Sequence, residues 1–175
     1  GDNLDTSAQA VARPLDLDSK TLDLYKRLGT YANYNGYGAA LEDLHFHPGE
    51  LYKLMSCYPR PEDFVVVAKT SFDRLESGYL DDMARADAIA PEWEHEVAAV
   101  YVLPEAAWSR RVSGVFGNAL AKANPRRGHA VLTEKANGHY LVSVRAPLDD
   151  KRDADTICRQ FETGGGRSAA AGVND

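Results

Sequence analysis

No apolar run in the chain approaches the roughly 20 residues that a membrane-crossing helix requires. The first ten residues lack the basic and apolar regions of a secretion signal. These two absences lead us to expect a cytoplasmic protein with no membrane partner. Cysteine is scarce as well. Cys57 and Cys158 form no CxxC pair and no zinc spacing, so both are expected as reduced thiols. The chain has no internal repeat and no low-complexity tract. It also has no Gly-x-Ser-x-Gly nucleophile elbow and no phosphate loop ending in Gly-Lys-Ser/Thr.

What remains is an ordinary globular composition. The chain has 175 residues, 44% hydrophobic and 26% charged. That length suits one domain, or one compact domain with an extension. The net charge of −6 is unevenly spread. Residues 1–96 carry 18 acids against 9 bases, and residues 97–175 carry 8 against 11. The second segment is therefore the better host for an anionic ligand. Arg110–Arg111 and Arg126–Arg127 stand out within it.

The pattern changes near Pro91. Before it the chain reads as helical. Asp18 or Ser19 caps a helix through Leu22, Tyr25 and Leu28, and the glycines of 33–38 make a loop or a helix end. A short helix covers 49–58. Pro61, followed by Glu62 and Asp63, opens a helix. From Phe64 to Ala86 the apolar residues recur every three or four positions, which predicts one long amphipathic helix. After Pro91 the expected order is a strand over 97–103, a helix over 108–123 and a strand over 129–134. A type I′ hairpin follows at Asn137-Gly138, then a return strand over 140–145 and a helix over 153–161 with Ile157 and Phe161 on one face. The expected fold class is α/β, a helical N-terminal segment followed by a small mixed-sheet α/β domain.

Three places invite chemistry. In the stretch from Thr163 to Gly172, Gly164, Gly165 and Gly166 expose successive backbone N–H groups, and a short helix is expected to start after them. With Arg167 alongside, such a loop holds an anion, and a tight turn before a packed helix fits the same residues equally. Alternation along 140–145 puts Ser143 and Arg145 on one strand face, with Arg145 at the strand end. Gly114 and Gly117 each cost the 108–123 helix roughly 1 kcal/mol relative to alanine, so a strand or a ligand comes close there. Separately, Asp43, His45 and His47, with Glu50 nearby, form a D-x-H-x-H string. On an extended strand its histidines would face one metal, and in a loop before Pro48 they would not. His129 and His139 flank the hairpin, where they are candidates for neighbours across it.

The glycine-rich finish at 164–172, with Ser143-Val144-Arg145 upstream and the glycine-containing 111–118 stretch before that, resembles the DHH-associated C-terminal domain. That domain completes the DHH phosphoesterases, which include the RecJ exonuclease and the nanoRNases. The resemblance covers residues 97–175. It implies that 1–90 is the end of a catalytic lobe plus a helical linker, and that 91–175 is the substrate-binding domain.

In that family the other lobe holds two metal ions, usually manganese, and hydrolyses phosphodiesters. Carried over, Gly164, Gly165, Gly166 and Arg167 contact substrate, Arg145 holds a phosphate or a base, and Asn118 is a further candidate contact. The resemblance makes a nucleotide or a short single-stranded oligonucleotide the expected partner. Gly1-Asp2-Asn3 resembles the family's last metal-site segment, which makes Asp2 a candidate metal ligand. The sequence departs from the family in two ways. Arg167 stands where the family has histidine, and the Asp-His-His motif does not occur. The expected reading is thus a chain that grips substrate without catalytic residues of its own, while manganese or another divalent metal belongs to the parent enzyme. Rival readings are a non-enzymatic nucleotide-binding module and a metalloprotein using Asp43, His45, His47 and also His95. A further rival is a homodimer built on the helix from Pro61.

Overall fold

The computed structural model describes residues 5–174; Asp2 lies outside them. It has two compact units, residues 1–81 and 82–175. The architecture is α/β, with helices at the N-terminus and a six-stranded mixed sheet after them. No helix among the described residues is long and apolar enough to cross a membrane.

The first unit is helical. After α1 (Asp5–Ala12), α2 (Ser19–Tyr34) starts at Asp18, whose carboxylate accepts from the Thr21 N–H at 2.7 Å. That bond satisfies one of the N–H groups that a helix start leaves unpaired. α3 (Pro48–Ser56) and α4 (Pro61–Val67) both begin with proline in the first turn. Leu28 and Tyr31 of α2 pack with Leu51, Phe64, Phe72 and Leu75 in one apolar cluster.

The single long helix expected from Pro61 is instead two. α4 ends at Val67, Ala68 leaves helical geometry at φ −95° and ψ 38°, and α5 (Lys69–Asp87) begins afresh. Three successive β-branched residues, Val65 to Val67, weaken the helix at that point. The division between the units falls within α5.

The second unit is built on β1 (Trp93–Glu94), β2 (Ala98–Leu103), β3 (Gly128–Glu134), β4 (Tyr140–Arg145), β5 (Gly165–Arg167) and β6 (Ala170–Asn174). Their order across the sheet is β1-β2-β3-β4-β6-β5. Only β2 and β3 run parallel, which requires a crossover, and α6 (Ala107–Ala123) supplies it. α6 covers one face, where Phe116 meets Tyr101 edge-on at 5.4 Å. On the other face Ala154 and Cys158 of α7 (Ala154–Cys158) pack with Ala171 and Val173 of β6, and Val142 and Val144 join them.

Three local expectations are corrected here. The β3–β4 turn is not type I′, because Gly138 is the only residue in it with positive φ. Gly138 N–H bonds to the Lys135 carbonyl at 3.0 Å, giving a type I turn closed by a left-handed glycine. α7 is shorter than expected and presents Ala154 and Cys158 to the core, so Ile157 and Phe161 are exposed. His129 and His139 are not neighbours across the hairpin. His129 pairs with Arg145 at the far end of the strands.

Candidate functional site

The largest departure from expectation is at the glycine-rich finish. No helix follows the glycines. Residues 165–174 form a β-hairpin, in which β5 pairs with β6 and β6 with β4. Ser168 and Ala169 make its turn, and their carbonyls accept from Ala154 N–H and Ala146 N–H, both at 3.1 Å. A helix over Ser168 to Ala171 would be one turn long, too short to repay its nucleation. The extended form gains a ladder on each side of β6.

The register of that hairpin brings two of the expected substrate contacts, Arg145 and Arg167, to one sheet face. Arg145 pairs with Ala170, and Ala170 with Arg167. Residues opposite each other in a sheet share a face, so the two arginines stand on one face with Ala170 between them. Two strand spacings separate their Cα atoms by about 10 Å. In the next row on that face Ser143, Gly172 and Gly165 lie side by side. Small residues thus line the sheet face between the two arginine positions, a shelf at the edge formed by β5.

The glycines divide into two kinds. A Cβ on Gly164 would lie 1.7 Å from the Cys158 carbonyl oxygen. Gly166 has φ +143°, and a Cβ there would meet Ala171 Cα at 2.5 Å. A Cβ on Gly172 would meet the Val142 carbonyl at 2.7 Å. These three are glycine because the chain itself leaves no room. Gly165 differs: a Cβ there would meet nothing within 4 Å.

The two arginines also differ. Arg167 is exposed, and its side chain makes no hydrogen bond or ion pair with another described residue. Arg145 is partly buried and held on several sides. Its Nε–H donates to Asn118 Oδ1 at 2.7 Å and its Nη2 to the Gly114 carbonyl at 3.2 Å. Its Nη1 donates to Ser143 Oγ at 2.8 Å and to the Val144 carbonyl at 3.1 Å. The side chain lies along the glycine face of α6. A Cβ on Gly117 would sit 3.5 Å from Arg145 Cγ, and one on Gly114 3.7 Å from its Nη2. The close neighbour that the sequence demanded at these two glycines is therefore Arg145, together with Val131. Asn118 spends its side-chain oxygen on Arg145.

Beside Arg145 in the same row is His129, a residue without an assigned role in the sequence reading. It is 2% exposed, and neither ring nitrogen has a hydrogen-bond partner of normal geometry. Burial pushes its imidazole below the usual histidine range, and the Arg127 charge pushes it further; the Arg127 backbone offsets only part. Another contact invisible in the sequence is Arg111 with Asp82. Arg111 Nε and Nη2 grip the Asp82 carboxylate at 2.7 and 3.1 Å, with both side chains almost buried.

The D-x-H-x-H string does not form a metal-facing strand. Asp43 closes a 3₁₀ turn (Leu41–Asp43), and its carboxylate accepts from Ala39 N–H at 2.8 Å. His45 Nε2 lies 2.9 Å from Tyr34 Oη, packed against Gly78. His47 Nδ1 caps α3 by accepting from Gly49 N–H at 3.2 Å. Among the described residues no three His, Cys, Asp or Glu side chains converge as a metal site would need. The described residues therefore do not fit a two-metal centre.

No protein-family model matches the sequence. No curated protein matches it either. Among solved structures the chain is similar to an exopolyphosphatase-related protein from Bacteroides fragilis, at 15% identity and a TM-score of 0.44. The similarity covers 67% of this chain and 39% of that one, so the chain spans well under half of the other protein's length.

Proposed function

We propose that the sheet unit is the substrate-holding part of a metal-dependent phosphoesterase, gripping the phosphate end of a nucleotide or short single-stranded oligonucleotide. The observation that carries this reading is Gly165. The other glycines of the finish are required by the chain, whereas Gly165 has open space above it and lies on the face that bears Arg145 and Arg167. A side chain missing from a position with room for one leaves the backbone open to close approach from outside. An exposed arginine two residues along supplies a charged fork for phosphate oxygens. The net positive balance of residues 97–175 supports the same reading.

The metal belongs to the parent enzyme in this reading, and no hydrolytic step is assigned to the described residues. Their part is to bind and orient. Calorimetric titration with a short oligonucleotide tests it. The chain should bind, Arg167→Ala should weaken binding at least about tenfold, and Gly165→Val should do the same by filling the shelf. Equal binding by all three proteins would show that the shelf is not the grip.

A further inference from the structure

The sequence holds two Asn-Gly pairs, Asn35-Gly36 and Asn137-Gly138. In such a pair the glycine nitrogen, unshielded by any Cβ, can close a ring on the amide carbon of the asparagine side chain. The fold treats the two pairs oppositely. Asn35 is 1% exposed. Its Nδ2 donates to the Phe46 carbonyl and its Oδ1 accepts from the Phe46 N–H, both at 2.9 Å. These two bonds fix the side chain, and Gly36 N–H is itself bonded to the Asn33 carbonyl at 2.9 Å. Asn137 and Gly138 are exposed at the tip of the β3–β4 hairpin. A Cβ on Gly138 would meet nothing within 4 Å, so the approach to its nitrogen is open. His139 N–H donates to Asn137 Oδ1 at 3.2 Å, which folds the side chain back over the Gly138 peptide.

We propose that Asn137 is a site of spontaneous deamidation, with water as the co-reactant and aspartate and isoaspartate as the products, and that the fold protects Asn35. The Gly138 nitrogen gives its proton to hydroxide and forms a bond to Asn137 Cγ. The carbonyl electron pair moves onto Oδ1, where the His139 N–H donates to the developing oxyanion. Its return breaks the Cγ–Nδ2 bond. Nδ2 takes a proton from water and leaves as ammonia, and a succinimide remains. Water then opens that ring. Cleavage at Cγ gives aspartate in an ordinary backbone, and cleavage at the backbone carbonyl gives isoaspartate, with the chain running through Cβ and Cγ. The net change is an amide and water to a carboxylate and ammonium, with nothing oxidised or reduced. The Gly138 N–H bond to the Lys135 carbonyl, at 3.0 Å, has to open first, and a hairpin tip is where such local opening costs least. Arg145 and its shelf lie at the other end of β4, so this site stands independently of the proposed function.

The test is peptide mapping by mass spectrometry of the full folded chain, held at mildly alkaline pH in heavy-oxygen water. The peptide bearing Asn137 should gain the amide-to-acid mass difference together with one heavy oxygen. It should also become a methyl acceptor for a protein isoaspartate methyltransferase, and its rate of conversion should rise with pH as hydroxide removes the Gly138 proton. In the folded chain the peptide bearing Asn35 should convert at least about tenfold more slowly, and in urea the two should convert at comparable rates. Equal rates at the two pairs in the folded chain would overturn the protection assigned to Asn35. A folded chain that keeps Asn137 intact while the urea-unfolded chain converts it would overturn the site. Conversion of Asn137 to aspartate with no isoaspartate would overturn the ring-closing route, since direct hydrolysis yields aspartate alone.

Discussion

Arg145 donates from Nε to Oδ1 of Asn118 at 2.7 Å, which ties the last residue of β4 to α6. The bond joins a charged donor to a partly buried acceptor, the kind worth about 1.5–3 kcal/mol. Asn118→Ala should lower the stability of the sheet unit by about that amount, read from equilibrium urea unfolding, while Asn118→Asp should lose much less. An alanine variant as stable as the wild type would show that the bond does not hold the helix to the strand.

Asp82 and Arg111 form a nearly buried ion pair, at 4% and 12% side-chain exposure. Removing one partner strands the other charge out of water. Asp82→Ala should therefore cost about 3–5 kcal/mol, far more than the loss of an exposed pair such as Lys69–Asp73. A thermal or urea midpoint that responds equally to both deletions would contradict the burial argument.

Three adjacent glycines should answer alanine differently. Gly164→Ala places a methyl 1.7 Å from a backbone oxygen, and Gly166→Ala combines a clash at 2.5 Å with φ +143°. Each should destabilise by more than about 2 kcal/mol, through backbone strain and overpacking. Gly165→Ala meets open space and should fall within about 0.5 kcal/mol of the wild type. Circular dichroism melts of the three variants give the order directly, and a Gly165→Ala protein as unstable as its neighbours would remove the distinction.

His129 links stability to pH. Its folded pKa lies below the ordinary value of 6.5, because burial and Arg127 both disfavour the charged ring. The unfolded chain titrates near the ordinary value, so below it the unfolded state takes up a proton that the native state refuses. This contribution to stability is full above pH 6.5, and it falls as the pH drops from there towards the depressed folded value. His129→Leu should flatten that part of the profile between about pH 7 and pH 5 in urea unfolding. An unchanged drop in the variant would place the acid sensitivity elsewhere.

Three strands of the sheet unit, β2, β3 and β4, were legible because each is a short apolar or alternating run, which is a local signal. In β2, Ala99, Tyr101 and Leu103 are buried and the residues between them less so. The fold class followed from the strand and helix order. The hairpin at 165–174 was not legible, because its residues are small and carry no alternation, and its extended form is imposed by pairing with β4. The kinship of Arg145 with Arg167 needs the register of two strand pairs, which no spacing along the chain reveals. The role of Asn118 was half visible: its neighbourhood in a glycine-bearing helix marked a close approach, but not that the approaching group was Arg145 itself. Spacing alone left the histidines near Pro48 open between metal ligands and loop residues, and they are loop residues: His45 meets the Tyr34 hydroxyl and His47 caps α3. Arg111 and Asp82 are distant in sequence and share no pattern.

A ligand held as proposed lies on the shelf between Arg145 and Arg167. Amide and arginine Nε resonances followed during titration with a dinucleotide test it most directly. Shifts should concentrate at Gly165, Gly166, Arg167, Ala170 and the Arg145 Nε–H, with the helices of residues 5–81 unmoved. Shifts centred on another surface, such as the β3–β4 hairpin at Lys135 and His139, or no shifts at all, would contradict it.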